Sequence, residues 1–162
     1  MVIALIVFFS SSEIMAGKVV LPEGTGIKVN FEPSMEVKSG KLQKGVTLVI
    51  YLAEDIKVGG KTIVEAGAEG LAKVENAVES SRPGKPGQIV VKFVELGSKG
   101  KYNTLNDAKI KLAGSIDNQG KGRKLLSWLF IFGLFIKGSQ GEIDTSQSYM
   151  ATIAETIVLE SN

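Results

Sequence analysis

Ile27-Lys28-Val29-Asn30-Phe31-Glu32 alternates apolar and polar residues at period two. Successive side chains of a strand point to opposite faces, so this stretch reads as a strand with one apolar and one wet face. The pattern recurs outward in both directions. Val46 to Ala53 reads as a more fully buried strand. Lys57 to Val64 carries Gly59-Gly60 between two β-prone pieces, which signals a tight hairpin. Leu71 to Val78 is a further strand. In Gln88 to Leu96, Ile89, Val91, Phe93 and Glu95 share one face, and Val90, Lys92, Val94 and Leu96 the other. Ala108 to Ala113 alternates cleanly, and a last strand runs from about Tyr149 to Leu159. Arg82-Pro83-Gly84-Lys85-Pro86-Gly87 is a turn, because Pro-linked glycines break regular structure.

The whole chain of 162 residues is 44% hydrophobic and contains 19 Gly but only 4 Pro. Its length suits one domain with a real core, and glycines between short apolar stretches favour an all-β fold. The 19 Lys plus Arg nearly balance 17 Asp plus Glu, so no electrostatic field for nucleic acid is expected. His and Cys are both absent. That excludes Ser-His-Asp and Cys-His catalysis, disulfides, and ordinary zinc, haem or iron–sulfur ligation.

Two apolar runs interrupt the strand pattern. Met1 to Phe9, followed by Ser10-Ser11-Ser12-Glu13-Ile14-Met15-Ala16-Gly17, reads as a secretory signal without its positive n-region. Residues 1–17 are accordingly expected to be a signal segment, and 18–162 one β-barrel-like domain. The second run is Leu125-Leu126-Ser127-Trp128-Leu129-Phe130-Ile131-Phe132-Gly133-Leu134-Phe135-Ile136, bracketed by Arg123, Lys124 and Lys137. As a helix it would be ~18 Å long, well short of the ~30 Å hydrocarbon core. It has no polar face, so the domain's own core, a neighbouring subunit or lipid must cover it. Flanking cations and a Trp are compatible with a membrane interface.

A weak repeat links three strands. Leu21-Pro22-Glu23-Gly24 precedes Ile27, Val29 and Phe31; Val64-Glu65-Ala66-Gly67 precedes Gly70, Ala72 and Val74; Ile143-Asp144-Thr145-Ser146 precedes Tyr149, Ala151 and Ile153. Each unit reads as a strand end, a tight turn and a new strand, although Gly-rich hairpins also resemble one another by chance.

No catalytic constellation emerges. Gly59-Gly60-Lys61-Thr62 resembles the end of a P-loop, but Asp55 stands where its first glycine is required. Gly97-Ser98-Lys99-Gly100-Lys101 and Gly120-Lys121-Gly122-Arg123-Lys124 are basic Gly loops that could hold a phosphate, though solvated turns more often look this way. Glu54, Asp55 and Asp107 show no facing partner of the kind a glycosidase needs. Asp117-Asn118-Gln119 lacks the spacing of a calcium loop. No cofactor or metal is expected.

The order of these parts resembles the C-terminal β-barrel domain of the TrbI-like conjugal-transfer family, the channel subunit of type IV secretion cores. The matching features are Leu21-Pro22-Glu23-Gly24-Thr25 opening a strand and Ala53-Glu54-Asp55-Ile56 before a hairpin. Val64-Glu65-Ala66-Gly67-Ala68 then leads to Gly70 and Val74. Ala113-Gly114-Ser115-Ile116-Asp117-Asn118 precedes an apolar insertion, and a strand closing at Val158-Leu159 follows. The resemblance implies a barrel whose insertion contacts the outer membrane. Departures are Gln119 in place of the family's histidine, Asp144-Thr145-Ser146 in place of a Pro-Gly-Thr turn, and an insertion too short for two crossing helices. A freestanding exported relative is therefore implied.

Together these readings predict an all-β fold, a single β-barrel or barrel-like sandwich, with a short helical apolar insertion at 125–136 before the last strands. The expected function is that of a non-enzymatic cell-envelope structural or interaction protein, periplasmic or outer-membrane associated. Leu125, Leu126, Trp128, Leu129, Phe130, Phe132, Phe135 and Ile136 would dock to an envelope partner, a second copy or a membrane interface, flanked by Arg123, Lys124 and Lys137. The alternative is a periplasmic small-molecule or glycan binding module, with a barrel-mouth pocket lined by Tyr51, Phe93 or Tyr102.

Overall fold

A computed structural model describes residues 17–81, 84–120 and 138–161. Both the proposed signal, apart from Gly17, and the whole apolar run with its flanking cations lie outside the described residues.

Among the described residues fourteen strands carry the fold: β1 (Lys18–Leu21), β2 (Gly26–Phe31), β3 (Val37–Lys38), β4 (Thr47–Leu52), β5 (Ile56–Val58), β6 (Lys61–Val64), β7 (Glu69–Val78), β8 (Gln88–Leu96), β9 (Tyr102–Thr104), β10 (Ile110–Ala113), β11 (Ser115–Gln119), β12 (Glu142–Ile143), β13 (Tyr149–Ile153) and β14 (Ile157–Ser161). Strands β2, β4, β7, β8, β10 and β13 pair in that order, all antiparallel, and β13 returns to β2. The ring is therefore a closed six-stranded barrel rather than an open sandwich. Closure removes the open edges that a free sheet would offer to other chains.

The alternating positions fill this ring. Ile27, Val29 and Phe31 point inward from β2, and Leu48, Ile50 and Leu52 from β4. Ala72 and Val74, then Ile89, Val91 and Phe93, continue it, and Ile110, Leu112, Ala151 and Ile153 complete it. A barrel this small holds side chains and little else. Its wet face bears Lys28, Lys73, Lys92 and Lys111.

Outside the ring, β14 pairs with β1 and β9, and two short ribbons form from β5 with β6 and β3 with β12. The β5–β6 turn is Gly59-Gly60, both at positive φ (58° and 77°), as the hairpin reading requires. All three repeat units are built as read. Leu21, Val64 and Ile143 end buried on β1, β6 and β12, and each turn leads into a barrel strand, β2, β7 or β13.

Two sequence expectations are corrected. The single last strand is two: β13 stays in the barrel, while a bend at Ala154-Glu155 sends β14 to β1. On β8 the inward set ends at Phe93, and Leu96 rather than Glu95 is buried. The cause is a bulge, where the register shifts between Leu71 and Ala72 opposite Glu95 and Phe93. One extra residue moves every later side chain to the other face.

Nine-residue β8 serves two partners on one edge. Its C-terminal end pairs with β10 at Ile110↔Leu96, and its N-terminal half pairs with β11 from Ser115↔Lys92 to Gln119↔Gln88. Gly114 joins them at φ +119°, a backbone setting that side chains rarely adopt, and its carbonyl accepts from the Phe93 N–H at 3.0 Å. G114A is expected to lower stability by about 1–3 kcal/mol in urea unfolding. G26A should be near neutral, because only the tip of the Met150 side chain stands 3.4 Å away.

Candidate functional site

The chain leaves the described barrel at Gly120, beyond β11, and returns at Gly138, ahead of β12. These two ends are held side by side at one rim. The Gly120 N–H donates to the Gly87 carbonyl at 2.8 Å, and the Gly87 N–H donates to the Ser139 carbonyl at 2.9 Å. Gly87 thus bridges the outgoing and returning strands. The contacts admit no side chain. A Cβ at Gly120 would overlap the Ser139 carbonyl, one at Gly138 the Lys85 carbonyl, and one at Gly141 the Asn118 carbonyl.

A buried polar latch lies beneath this stem. The Ser39 hydroxyl donates to Gln140 Oε1 at 2.7 Å and accepts from the Gly141 N–H at 3.1 Å. The Ser80 N–H donates to the same Gln140 Oε1 at 3.0 Å, and the Ser39 N–H donates to the Gly141 carbonyl at 2.9 Å. Ser39 and Ser80 are both buried. One glutamine therefore ties the β3 end and the β7 end to the returning strand.

The β3–β12 ribbon beside the latch is charged. Lys38 lies 3.0 Å from both Glu36 and Glu142, and Glu36 also pairs with Lys41. Hydrogen bonds from Lys41 and then Lys38 hold the Glu36 carboxyl below its ordinary range, and Glu36 and Glu142 raise the Lys38 ammonium. Asp144 is held low by the Ser146 hydroxyl (2.6 Å) and N–H (2.9 Å).

The eight residues expected to make contact, Leu125, Leu126, Trp128, Leu129, Phe130, Phe132, Phe135 and Ile136, and the flanking Arg123, Lys124 and Lys137 fall outside the described residues. The structure instead supplies the stem between which they are strung. Of Gly120, Gly138 and Gly141, only Gly120 was singled out in the sequence, as part of a basic Gly loop. Ser39, Ser80 and Gln140 were not singled out, because the Ser39–Gln140 bond joins positions 101 apart.

The residues of the alternative reading are dispersed. Phe93 is buried inside the barrel and Tyr102 is buried on β9, whereas Tyr51 sits half-buried on the outer wall opposite Asn30 and Glu69. Burial and the nearby Glu32 and Glu69 raise the Tyr51 hydroxyl. Surface depressions of about 300, 480 and 310 Å³ are lined by none of the three. In the Gly97–Lys101 loop, Lys99 Nζ donates to the Ala66 carbonyl at 2.9 Å. Among the described residues no three Asp or Glu are grouped to hold a metal.

Comparison with protein-family models, curated proteins and solved structures finds no match.

Q140A removes one acceptor from two buried donors and is expected to cost about 1–3 kcal/mol, read by chemical denaturation. G141A should cost about as much through overlap with backbone. In pH the two carboxylates act in one direction. Depressed Glu36 and Asp144 stabilise the fold above their unfolded values of 4.5 and 3.8, and lose that contribution as pH falls through their lower folded values. With no His in the chain, melting temperature should be flat from about pH 6 to 8 and fall below about pH 4.5. A rise in stability on acidification to pH 4 would contradict this.

Proposed function

We propose that this chain is a non-enzymatic cell-envelope interaction protein, exported to the bacterial periplasm or outer-membrane face, whose apolar segment 125–136 docks to a partner subunit or membrane. The observation that carries the reading is the stem: the segment is strung between two clamped ends at the rim of a barrel that its own strands already fill. The barrel interior therefore does not require the segment as core. Left in water, its eight contact residues would forgo on the order of 12–24 kcal/mol of burial, at ~1.5–3 kcal/mol each. That rivals the whole stability of an ordinary domain. A cover is needed, and Arg123, Lys124, Lys137 and Trp128 suit one at a membrane interface or an envelope partner.

The likeness to the TrbI-like secretion barrel belongs to the same proposal. A closed barrel and an excursion between β11 and β12 support it. The filled interior and the dispersal of Tyr51, Phe93 and Tyr102 weigh against a barrel-mouth binding module.

Replacing Trp128, Phe130 and Phe132 together by Ser tests the reading. The parent chain is expected to sediment with membranes or self-associate, and the triple variant to run as a free monomer with the barrel's cooperative unfolding retained. If both behave as soluble, membrane-free monomers and only the melting temperature drops, the segment is core and the proposal fails.

A further inference from the structure

We propose that the outer wall of the barrel carries an anion site, lined by Lys44, Lys73 and Lys92, that takes a phosphate group. The three lysines line one depression of about 310 Å³ together with Gly45, Val74, Glu75 and Val94. Register places Lys73 directly opposite Lys92 on β7 and β8. Directly opposed side chains of an antiparallel pair have Cβ atoms only about 4.5–5.5 Å apart, and like charges there repel. Elsewhere the wall avoids this. Lys18 is matched with Glu160, Lys28 with Glu54, Lys38 with Glu142 and Lys111 with Glu155, each from another strand or the loop beside it. Among the described residues Lys44, Lys73 and Lys92 form no ion pair, although Glu75 lines the same depression.

Three ammonium groups facing one carboxylate leave an excess of positive charge, which a phosphate oxygen set would neutralise. Val94, 39% exposed on the wall, gives the depression an apolar patch, while Val74 turns its side chain into the barrel and lines the depression with backbone. A phosphate carried on an apolar body meets both parts. Lys44 belongs to the loop that runs from Ser39 into β4. A phospholipid headgroup is one source and free or soluble phosphate the other; the lipid source rests on the envelope reading, whereas the anion site does not.

The full chain is titrated with inorganic phosphate while its melting temperature is followed, and is sedimented with vesicles of phosphatidylcholine alone or mixed with phosphatidylglycerol. K73Q/K92Q is compared with K28Q/K111Q, which removes equal charge from elsewhere on the wall. Phosphate should raise the melting temperature of the parent and of K28Q/K111Q. K73Q/K92Q should bind at least about tenfold more weakly, as expected for the loss of charge-assisted hydrogen bonds of ~1.5–3 kcal/mol each. K92E alone should raise the melting temperature without phosphate, by relieving the Lys73–Lys92 repulsion, and abolish the phosphate shift. Capture by phosphatidylglycerol vesicles that K73Q/K92Q loses assigns the lipid source. A phosphate response without vesicle capture keeps the site and assigns a soluble phosphate, and then the membrane reading fails alone. Equal phosphate responses in all variants, or capture of polyglutamate with no response to phosphate or anionic vesicles, overturns the proposal.

Discussion

The fold turns on a corner in one chain segment. Ala113-Gly114-Ser115 must leave one half of β8 and join the other without opening the ring. Positive φ at Gly114 achieves this, and the Phe93 N–H bonds the corner's carbonyl, so the ladder on β8 continues across it. Phe93 also stands 3.4 Å from where a Cβ at Gly114 would lie, which ties the corner to the barrel core. Everything on the functional rim follows. Because β11 extends along β8 to Gln119↔Gln88, Gly120 arrives beside Gly87, where the returning Ser139 is also bonded.

Much of this was legible locally and little of it globally. Period-two alternation located β2, β8 and β10, since each buries one face against the core, whereas β4 was read from its apolar run as more fully buried and in fact alternates. Gly59-Gly60 specified its hairpin because both positions need positive φ. The repeat was legible because three barrel strands are each fed by a tight turn after a buried apolar residue. What escaped was non-local or too short for a period. β3 and β12 are two residues each and exist through pairing with one another. β11 is exposed along most of its length, so its sequence carries no apolar stripe. The Glu95 assignment failed because a bulge is a property of two strands in register, and one strand's pattern does not contain it.

The candidate site shows the same division. Composition marked the apolar run, and Arg123, Lys124 and Lys137 bracketed it. The latch was hidden, because a half-buried Gln and two buried Ser look like surface residues until the fold places them together. Its chemistry is consistent: Gln140 Oε1 takes two donors, and Ser39 both gives and receives. Buried polar groups placed this way stabilise one arrangement of the rim over others, since every alternative strands a donor.

The stem also bears on how strongly an apolar segment can dock. Bringing together the ends of a loop of the seventeen residues 121–137 costs about 2.5 kcal/mol beyond a constant, from the (3/2)RT ln n dependence of closure entropy. Here β11–β8 pairing, β12–β3 pairing and the Gln140 latch meet that cost during folding. In the proposed docking, binding then need not supply it, and more of the burial energy of Leu125 to Ile136 would remain as affinity. The same logic explains the crowding of Gly87, Gly120, Gly138 and Gly141. Any side chain there would clash with the neighbouring backbone or polar groups and spread the ends.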